Sequence, residues 1–220
     1  MPKRVFHVSI GFLMVVSLAQ AWTMLEPRSR AQSPSTSDDK PRSGRDKPAK
    51  TEIAVFGGGC FWSIEAIFER VKGVKSVVSG FSGGTVPNPD YETVCTGQTG
   101  HAEVVRIEYD PSVVPFEKLL KMFWKAHDPT TWNRQGDDFG PQYRSIILYT
   151  TEAQREATLK SYQELTEARV FGAPIVTELV PFKAFFPAED YHQDYFRNQR
   201  YSDYSLTYII PKLKKLKLLK

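Results

Sequence analysis

The sequence contains few cysteines and few histidines. Its 220 residues include two cysteines, Cys60 and Cys95, and four histidines. Two cysteines allow at most one bridge, which excludes a disulfide scaffold, and a chain of this length can hold a core without one. The histidines show no ligand spacing with one another or with a cysteine, so we predict that no metal is bound.

The apolar run at the start of the chain is short for a membrane span. Lys3 and Arg4 precede it, it covers residues 8–19, and Ala19 and Ala21 follow the small-x-small cleavage pattern. This order predicts a signal peptide over 1–21 and an exported protein, periplasmic or extracellular; an uncleaved membrane anchor is the other interpretation. Residues 26–50 almost lack bulky apolar side chains, which predicts a disordered linker over 22–50.

Basic charge is scarce in the middle of the chain. The formal net charge is +4, but the basic residues are concentrated at the two ends, and residues 51–196 carry an excess of acidic side chains. An acidic body argues against a nucleic-acid partner. We predict one folded domain over 51–200, acting as a monomer, and a basic tail over 201–220. A solvated tail is the preferred interpretation, and contact with an anionic surface is the other.

One of the two cysteines has a setting typical of a reactive thiol. Cys60 follows the three glycines at 57–59, and residues 51–56 before them alternate as in a β-strand. The apolar residues after it recur at helical spacing: Ile64, Ile67, Phe68 and Val71. A helix N-terminus favours an anion and would lower the pKa of the thiol, and glycines let another molecule approach. We interpret Cys60 as a nucleophile; a small buried hydrophobe is the other interpretation.

The rest of the chain mixes strands and helices without regular βαβ repetition. This predicts an α+β fold, a two-layer sandwich with a mixed sheet and packed helices, having a ferredoxin-like core and long functional loops. The two long loops are predicted at 82–100 and 127–142. Further strands are predicted at 74–81, 101–109, 143–149 and 174–180, and further helices at 115–126, 151–168 and 189–199.

A carboxylate shares a strand face with apolar residues. In the strand 101–109, Glu103 lies on the same face as Val105, Ile107 and Tyr109, whereas the opposite face carries two charges. Burial would raise the pKa of Glu103 and suit a general acid near neutral pH. The other interpretation places Glu103 at a frayed strand end in water.

Several loop residues have the chemistry to surround a small polar substrate, although each is also common as a packing or solvated residue. Phe61 and Trp62, next to the nucleophile, are core residues or the walls of an apolar pocket. The polar loop residues are His101, Tyr91, Asp137, Asp138 and Tyr143.

These residues belong to four longer stretches: GGGCFWSIEAIF, GFSGGTVPNPDYETVCTGQTGHAEVVRIEYDP, FWKAHDPTTWNRQGDDFGPQYRS and PAEDYHQDYF. Together, over about residues 52–199, they resemble the A-type peptide methionine sulfoxide reductases. The resemblance implies that the domain is a peptide-methionine (S)-S-oxide reductase. Such an enzyme uses a thiol to reduce methionine S-sulfoxide, in proteins and as the free amino acid, and repairs proteins after oxidative damage.

The resemblance also implies a role for each site residue. Cys60 attacks the sulfoxide sulfur and becomes a sulfenic acid, and Glu103 protonates the departing oxygen. Tyr91 and Tyr143 hold that oxygen, Phe61 and Trp62 receive the S-methyl group, and Asp138 holds the substrate backbone.

The recycling of Cys60 departs from the pattern of many family members, which carry resolving cysteines in a C-terminal tail. No cysteine follows Asn198 here. We expect no bound cofactor, and an external thiol reductant such as thioredoxin as the partner besides oxidised proteins and methionine sulfoxide. Attack by Cys95 as a resolving thiol is the other route, although a buried structural role for Cys95 is preferred.

Two other classes of function remain open from the residues alone. In the first, Cys60 and His101 form the nucleophile and base of a thiol hydrolase or acyltransferase. In the second, the aromatic pocket belongs to a peptide-binding module without catalysis.

Overall fold

The computed structural model describes residues 51–219. The predicted signal peptide at 1–21 and linker at 22–50 therefore lie outside the described residues. Within these, no helix is long and apolar enough to cross a membrane. The strands are β1 Glu52–Gly57, β2 Val74–Ser82, β3 Ala102–Tyr109, β4 Arg134–Gln135, β5 Asp138–Phe139, β6 Ile146–Tyr149, β7 Glu178–Pro181 and β8 Phe186–Pro187.

The helices lie between and after these strands. They are α1 Phe61–Phe68, α2 Tyr91–Cys95, α3 Phe116–Ala126, α4 Glu152–Glu167, α5 Tyr195–Asn198 and α6 Ile210–Lys215. Short 3₁₀ turns cover Pro141–Tyr143 and Asp190–His192, and a π-helical segment covers Ser205–Ile209.

Six of the strands form one sheet in the order β7-β6-β1-β3-β2-β8. All neighbours are antiparallel except β6 and β7, which are parallel. The predicted α+β class with a mixed sheet is therefore confirmed. The strands β4 and β5 form a separate hairpin.

One face of the sheet carries the main core. Phe56 of β1 and Val105 and Ile107 of β3 pack there against α1 and α3, and all three are fully buried. Glu103 lies on this face as well, as the alternation in β3 predicts. The opposite face holds a smaller cluster that includes Val104 and Ile146, so it is covered in part rather than solvated.

The two predicted long loops contain short elements that the sequence pattern did not indicate. Helix α2 lies in the first, where the Asp90 side chain accepts the Thr93 N–H at 2.8 Å, and the β4–β5 hairpin lies in the second. Elements of two to five residues are too short to show a period, which is why they were missed.

The prediction of a solvated basic tail at 201–220 is wrong. The segment forms the π-helical turn and α6, and both Ile209 and Leu213 are fully buried in the main core. The spacing of Ile209, Leu213 and Leu216 is that of an amphipathic helix, and the lysines at 214 and 215 stay exposed on its outer side. The folded domain thus continues beyond residue 200.

We expect Leu213→Ala to destabilise the fold by about 2–5 kcal/mol, because it opens a cavity in the core beneath α6. Urea unfolding monitored by circular dichroism measures this free energy. The matched control is Lys214→Ala, one residue along on the exposed side. Equal stability of the two variants would contradict the packing of α6.

Candidate active site

Cys60 lies where strand β1 passes into helix α1, as predicted. It occupies the position before Phe61, the first helical residue, and its carbonyl accepts the Ser63 N–H at 3.1 Å. The residue is buried, with 7% of its surface exposed. The thiol is therefore largely shielded from solvent.

The glycines before Cys60 allow other segments of this chain to pack closely against the turn. A Cβ atom on Gly57 would lie 2.7 Å from the carbonyl oxygen of Glu103. Gly59 has a φ of +90°, and a Cβ there would lie 2.6 Å from the Gln135 side chain. The prediction that these glycines serve the approach of another molecule is corrected: they let β3 and the β4–β5 hairpin pack against the turn.

Glu103 is buried next to the thiol. Its Oε2 accepts the Phe61 N–H at 3.0 Å, and Phe61 directly follows Cys60. Only 1% of its surface is exposed, so the frayed-end interpretation is wrong. Burial raises the pKa of Glu103 to about 8, against the opposing effect of the Phe61 N–H bond. The carboxyl is therefore mostly protonated at neutral pH.

The prediction of a lowered thiol pKa at Cys60 is wrong. Burial raises the pKa of the Cys60 thiol well above its ordinary value, and the charge of an ionised Glu103 raises it further. The hydrogen bonds from the Tyr204 hydroxyl and the Trp62 N–H act in the opposite direction. Desolvation thus outweighs the effect of the helix N-terminus on the pKa of Cys60. In the resting site, Cys60 and Glu103 each keep their proton.

Asp138 and Tyr204 close the site on the side of the β4–β5 hairpin. The Tyr204 hydroxyl donates to Oδ2 of Asp138 at 3.3 Å. Burial raises the pKa of the Asp138 carboxyl, and the Tyr204 hydroxyl and the backbone N–H of Cys60 oppose this rise. The same hydroxyl is near enough to Cys60 to lower the pKa of its thiol. Tyr204 lies in the segment predicted as a tail, so the sequence analysis missed it; the helical spacing from Ile209 to Leu216 was the signal that could have found it.

Tyr91 and Tyr143 are half-buried beside Glu103 and keep their protons. Burial raises the pKa of each hydroxyl, with a hydrogen bond to Cys95 adding to the effect at Tyr91 and the charge of Glu103 at Tyr143. Both are therefore hydrogen-bond donors at neutral pH. Asp137, in contrast, accepts the Tyr208 hydroxyl at 2.7 Å on the exposed side of the hairpin.

Phe61 and Trp62 form an aromatic wall with residues that the sequence analysis did not single out. The Trp62 and Tyr195 rings are parallel with centroids 3.7 Å apart, and Tyr204 packs edge-on against Trp62 at 5.2 Å. The Trp62 indole N–H donates to Nδ1 of His192 at 3.1 Å. The side chains converge from α1 and from the C-terminal segments, which no sequence spacing relates.

His101 does not supply a base for Cys60. Its Nδ1 accepts the Gly84 N–H at 3.1 Å, and its Nε2 lies 2.8 Å from the Val86 carbonyl oxygen. Both ring nitrogens are occupied by the backbone of the loop after β2, so the thiol hydrolase interpretation is wrong. His101 orders that loop.

Cys95 is exposed, so the preferred interpretation as a buried structural cysteine is also wrong. It lies at the end of α2, where partial desolvation raises the pKa of its thiol and the nearby Tyr91 hydroxyl opposes this rise. Both cysteines are free thiols. Among residues 51–219, no group of three or more His, Cys, Asp or Glu side chains is placed to hold a metal ion.

We expect Tyr204→Phe to raise the pKa of Cys60 further, because the thiolate loses a hydrogen-bond donor. Alkylation of Cys60 by iodoacetamide at pH 8 should slow by about tenfold. The rate is measured in a Cys95→Ser background so that one thiol reacts. Tyr201→Phe, at a site that is 82% exposed, is the control and should alkylate as the parent does. An unchanged rate for Tyr204→Phe would contradict the bond.

The fold and site define a class of protein, a thiol-dependent oxidoreductase with a cysteine and a protonated carboxyl in an aromatic pocket. The family model described as peptide methionine sulfoxide reductase matches residues 52–219. The chain belongs to the peptide methionine sulfoxide reductase family.

Individual relatives agree with this assignment. The peptide methionine sulfoxide reductase MsrA of Sulfolobus acidocaldarius is 56% identical over 167 residues, which is 74% of this chain and 92% of that protein. The one of Deinococcus radiodurans is 47% identical over 174 residues, 79% of this chain and 84% of that protein. Among solved structures, methionine sulfoxide reductase A of Corynebacterium diphtheriae superposes with a TM-score of 0.63 at 36% identity, covering 72% of this chain and 79% of that one. Mxr1 of Saccharomyces cerevisiae in its reduced form superposes with a TM-score of 0.66 at 31% identity, covering 73% of this chain and 92% of that one.

Proposed function

We propose that the enzyme reduces the S epimer of methionine sulfoxide with Cys60 as the nucleophile and Glu103 as the general acid. The observation that carries these roles is the buried Glu103 carboxyl, which accepts the N–H of Phe61 directly after the buried Cys60, in a chain of this family. A sulfoxide oxygen leaves poorly unless it is protonated, and Glu103 is an acid that keeps its proton at neutral pH.

The reaction balances with these two groups. The Cys60 sulfur attacks the sulfoxide sulfur, Glu103 gives its proton to the sulfoxide oxygen, and the thiol proton passes to Glu103. The oxygen leaves the substrate sulfur as hydroxyl and bonds to the Cys60 sulfur while the bond between the two sulfurs breaks, which yields the sulfenic acid and releases methionine. Cys60 has lost two electrons and the substrate sulfur has gained them, while Glu103 ends as it began.

The surrounding residues would orient the substrate. Tyr91 and Tyr143 are protonated hydroxyls close enough to Glu103 for its charge to affect them, which suits donors to the sulfoxide oxygen. Phe61 and Trp62 form the apolar wall for the S-methyl group. For Asp138 we propose contact with the substrate backbone from the place where it accepts the Tyr204 hydroxyl.

An external dithiol or thiol pair, such as a thioredoxin, would return Cys60 to the thiol. Reduction consumes two thiols per sulfenic acid and releases one water with one disulfide. No cysteine follows Cys95 in the sequence, which supports an external donor. Cys95 as resolving thiol is the second route: its exposure and its closeness to Tyr91 favour access to the site.

Four further proposals concern the location and the architecture of the enzyme. The order of the charged, apolar and small residues over 1–21 supports a signal peptide and therefore an exported enzyme, periplasmic or extracellular. An uncleaved membrane anchor is the alternative. The composition of 22–50 supports a linker, and we propose a monomer. The four central strands lie in the order β6-β1-β3-β2 and are all antiparallel, which supports a ferredoxin-like core.

The test is to incubate the enzyme with dithiothreitol and peptides that carry separated S or R methionine sulfoxide. We expect the S epimer to disappear with one dithiothreitol oxidised per sulfoxide, and the R epimer to remain. Binding of sulfoxide peptide without oxidation of dithiothreitol would overturn the proposal in favour of a binding module. Cys95→Ser, as the matched thiol control, should keep this turnover.

A further inference from the structure

The indole of Trp62 is held by a histidine that the proposed chemistry does not use. Trp62 Nε1–H donates to Nδ1 of His192 at 3.1 Å. Because Nδ1 accepts this bond, the neutral imidazole must carry its proton on Nε2. The bond therefore selects one tautomer of a residue that is only 1% exposed.

The other ring nitrogen of His192 faces a carboxylate from the same turn. His192 Nε2 lies 3.9 Å from Glu189 Oε2, and neither atom has a hydrogen-bond partner among residues 51–219. Buried polar atoms are normally paired, so two unpaired ones facing each other call for an explanation. A carboxylate beside Nε2 favours the proton there, which is the tautomer that Trp62 requires.

The same glutamate also holds a second wall of the pocket. Glu189 Oε1 accepts the backbone N–H of Tyr91 at 2.9 Å. The His192 ring packs 4.3 Å from the Tyr91 ring and 5.1 Å from the Phe61 ring, measured between centroids. Glu189 and His192 thus lie behind the pocket and contact three of its residues: Phe61, Trp62 and Tyr91.

We propose that His192 is a positioning residue, which as the Nε2–H tautomer fixed by Glu189 holds Trp62 in the orientation that receives the S-methyl group. The proposal rests on the proposed function of Trp62. His192 touches neither Cys60 nor Glu103 through any hydrogen bond of the described residues, so it acts on substrate binding rather than on the chemical step.

Protonation of His192 would break its hydrogen bond with the Trp62 indole. A doubly protonated ring presents an N–H at Nδ1, so two donors would face each other at Trp62. The groups that face the ring are Glu189 from its own turn, Tyr91 from α2 and the adjacent Tyr191, with the uncharged rings of α1 completing the contact. Burial lowers the pKa of His192, with Glu189 opposing, so the loss occurs below the ordinary histidine range.

Two substitutions at His192 distinguish the effect of losing the hydrogen-bond acceptor from the effect of changing the size of the side chain. His192→Leu removes the acceptor, and we expect KM for an S-sulfoxide peptide to rise by about tenfold with kcat nearly unchanged. His192→Asn restores an acceptor at the place of Nδ1 and should recover most of the affinity. The wild-type KM should rise only when the pH falls below the ordinary histidine range, whereas that of His192→Asn should stay flat, because an amide does not titrate.

A double-mutant cycle links the effect to the indole. In a Trp62→Phe background, which lacks the N–H, His192→Leu should have little further effect on KM. If His192→Leu fails to fold in both backgrounds, the NMR chemical shifts of the His192 ring nitrogens in the wild type test the proposal instead. An unprotonated Nδ1 and a protonated Nε2 support it, and the opposite tautomer overturns it.

These outcomes are distinct from failure of the proposed function. A wild type that consumes no S-sulfoxide would overturn the function itself. An active wild type with the same KM in His192→Leu, or a fall in kcat alone, would overturn only the positioning role.

Discussion

Cys60→Ser should abolish turnover of the S-sulfoxide and leave the fold intact. Serine nearly matches the volume of cysteine at this buried position, but its hydroxyl neither attacks sulfur readily nor takes up the oxygen as a sulfenic acid does. The expected loss is at least about 10⁴-fold, the scale seen when an enzyme loses its nucleophile. Chromatography of the peptide products after incubation with dithiothreitol measures it.

A single-turnover experiment sharpens this result. Without reductant, the wild type should form about one methionine per enzyme molecule, and Cys60→Ser should form none. Cys95→Ser is the control for loss of a thiol and should still release one equivalent. Methionine production by Cys60→Ser above the uncatalysed rate would show that another group carries the attack.

Glu103→Gln should lower kcat/KM by about 10² to 10⁴, the range for loss of a general acid. The amide keeps an acceptor for the Phe61 N–H, so the turn before α1 stays in place. What is lost is the proton for the sulfoxide oxygen. Steady-state kinetics on the S-sulfoxide peptide measures the change.

The pH profile gives the same assignment independently. The acid form of Glu103 is the active one, so wild-type kcat/KM should fall as the pH rises through about 8, where burial places the pKa of Glu103. The profile of Glu103→Gln should lack this alkaline limb. Glu65→Gln is the matched control: Glu65 is also buried, burial raises its pKa to about 7, and it bonds Ser79 rather than the thiol. An alkaline limb that survives in Glu103→Gln would rule out the acid role.

The parts of the site that local patterns determine were predictable. Cys60 follows from a strand, three glycines and a helix in direct succession, and the inward side of Glu103 follows from alternation within one strand. The direction of the pKa shift at Cys60 was not predictable in the same way. It depends on how deeply the thiol is buried in the folded domain and, to a smaller extent, on Tyr204 and Asp138 from distant parts of the chain, which lower and raise this pKa respectively.

The residues that were missed share a physical reason. Tyr204, Tyr195 and His192 reach Trp62 only because the segments after β8 fold back over α1, and the spacing in the sequence contains no trace of that contact. The many lysines near the end of the chain also led the sequence analysis to predict a solvated tail, although the apolar residues among them have the spacing of helix α6. Leu213 shows that burial of one helix face tolerates a basic opposite face.

Packing of α6 against the main core couples the reactivity of the thiol to a local unfolding equilibrium. Tyr204, Ile209 and Leu213 belong to one continuous helical segment, so an opening that exposes the two core residues also removes the hydroxyl from Cys60. Such openings need less free energy than global unfolding when they involve a terminal element. Cys60 then gains water and loses the burial that suppresses its ionisation. We therefore expect substitutions that loosen the packing of α6 to raise the reactivity of this thiol toward small oxidants, in contrast to loss of the Tyr204 hydroxyl alone.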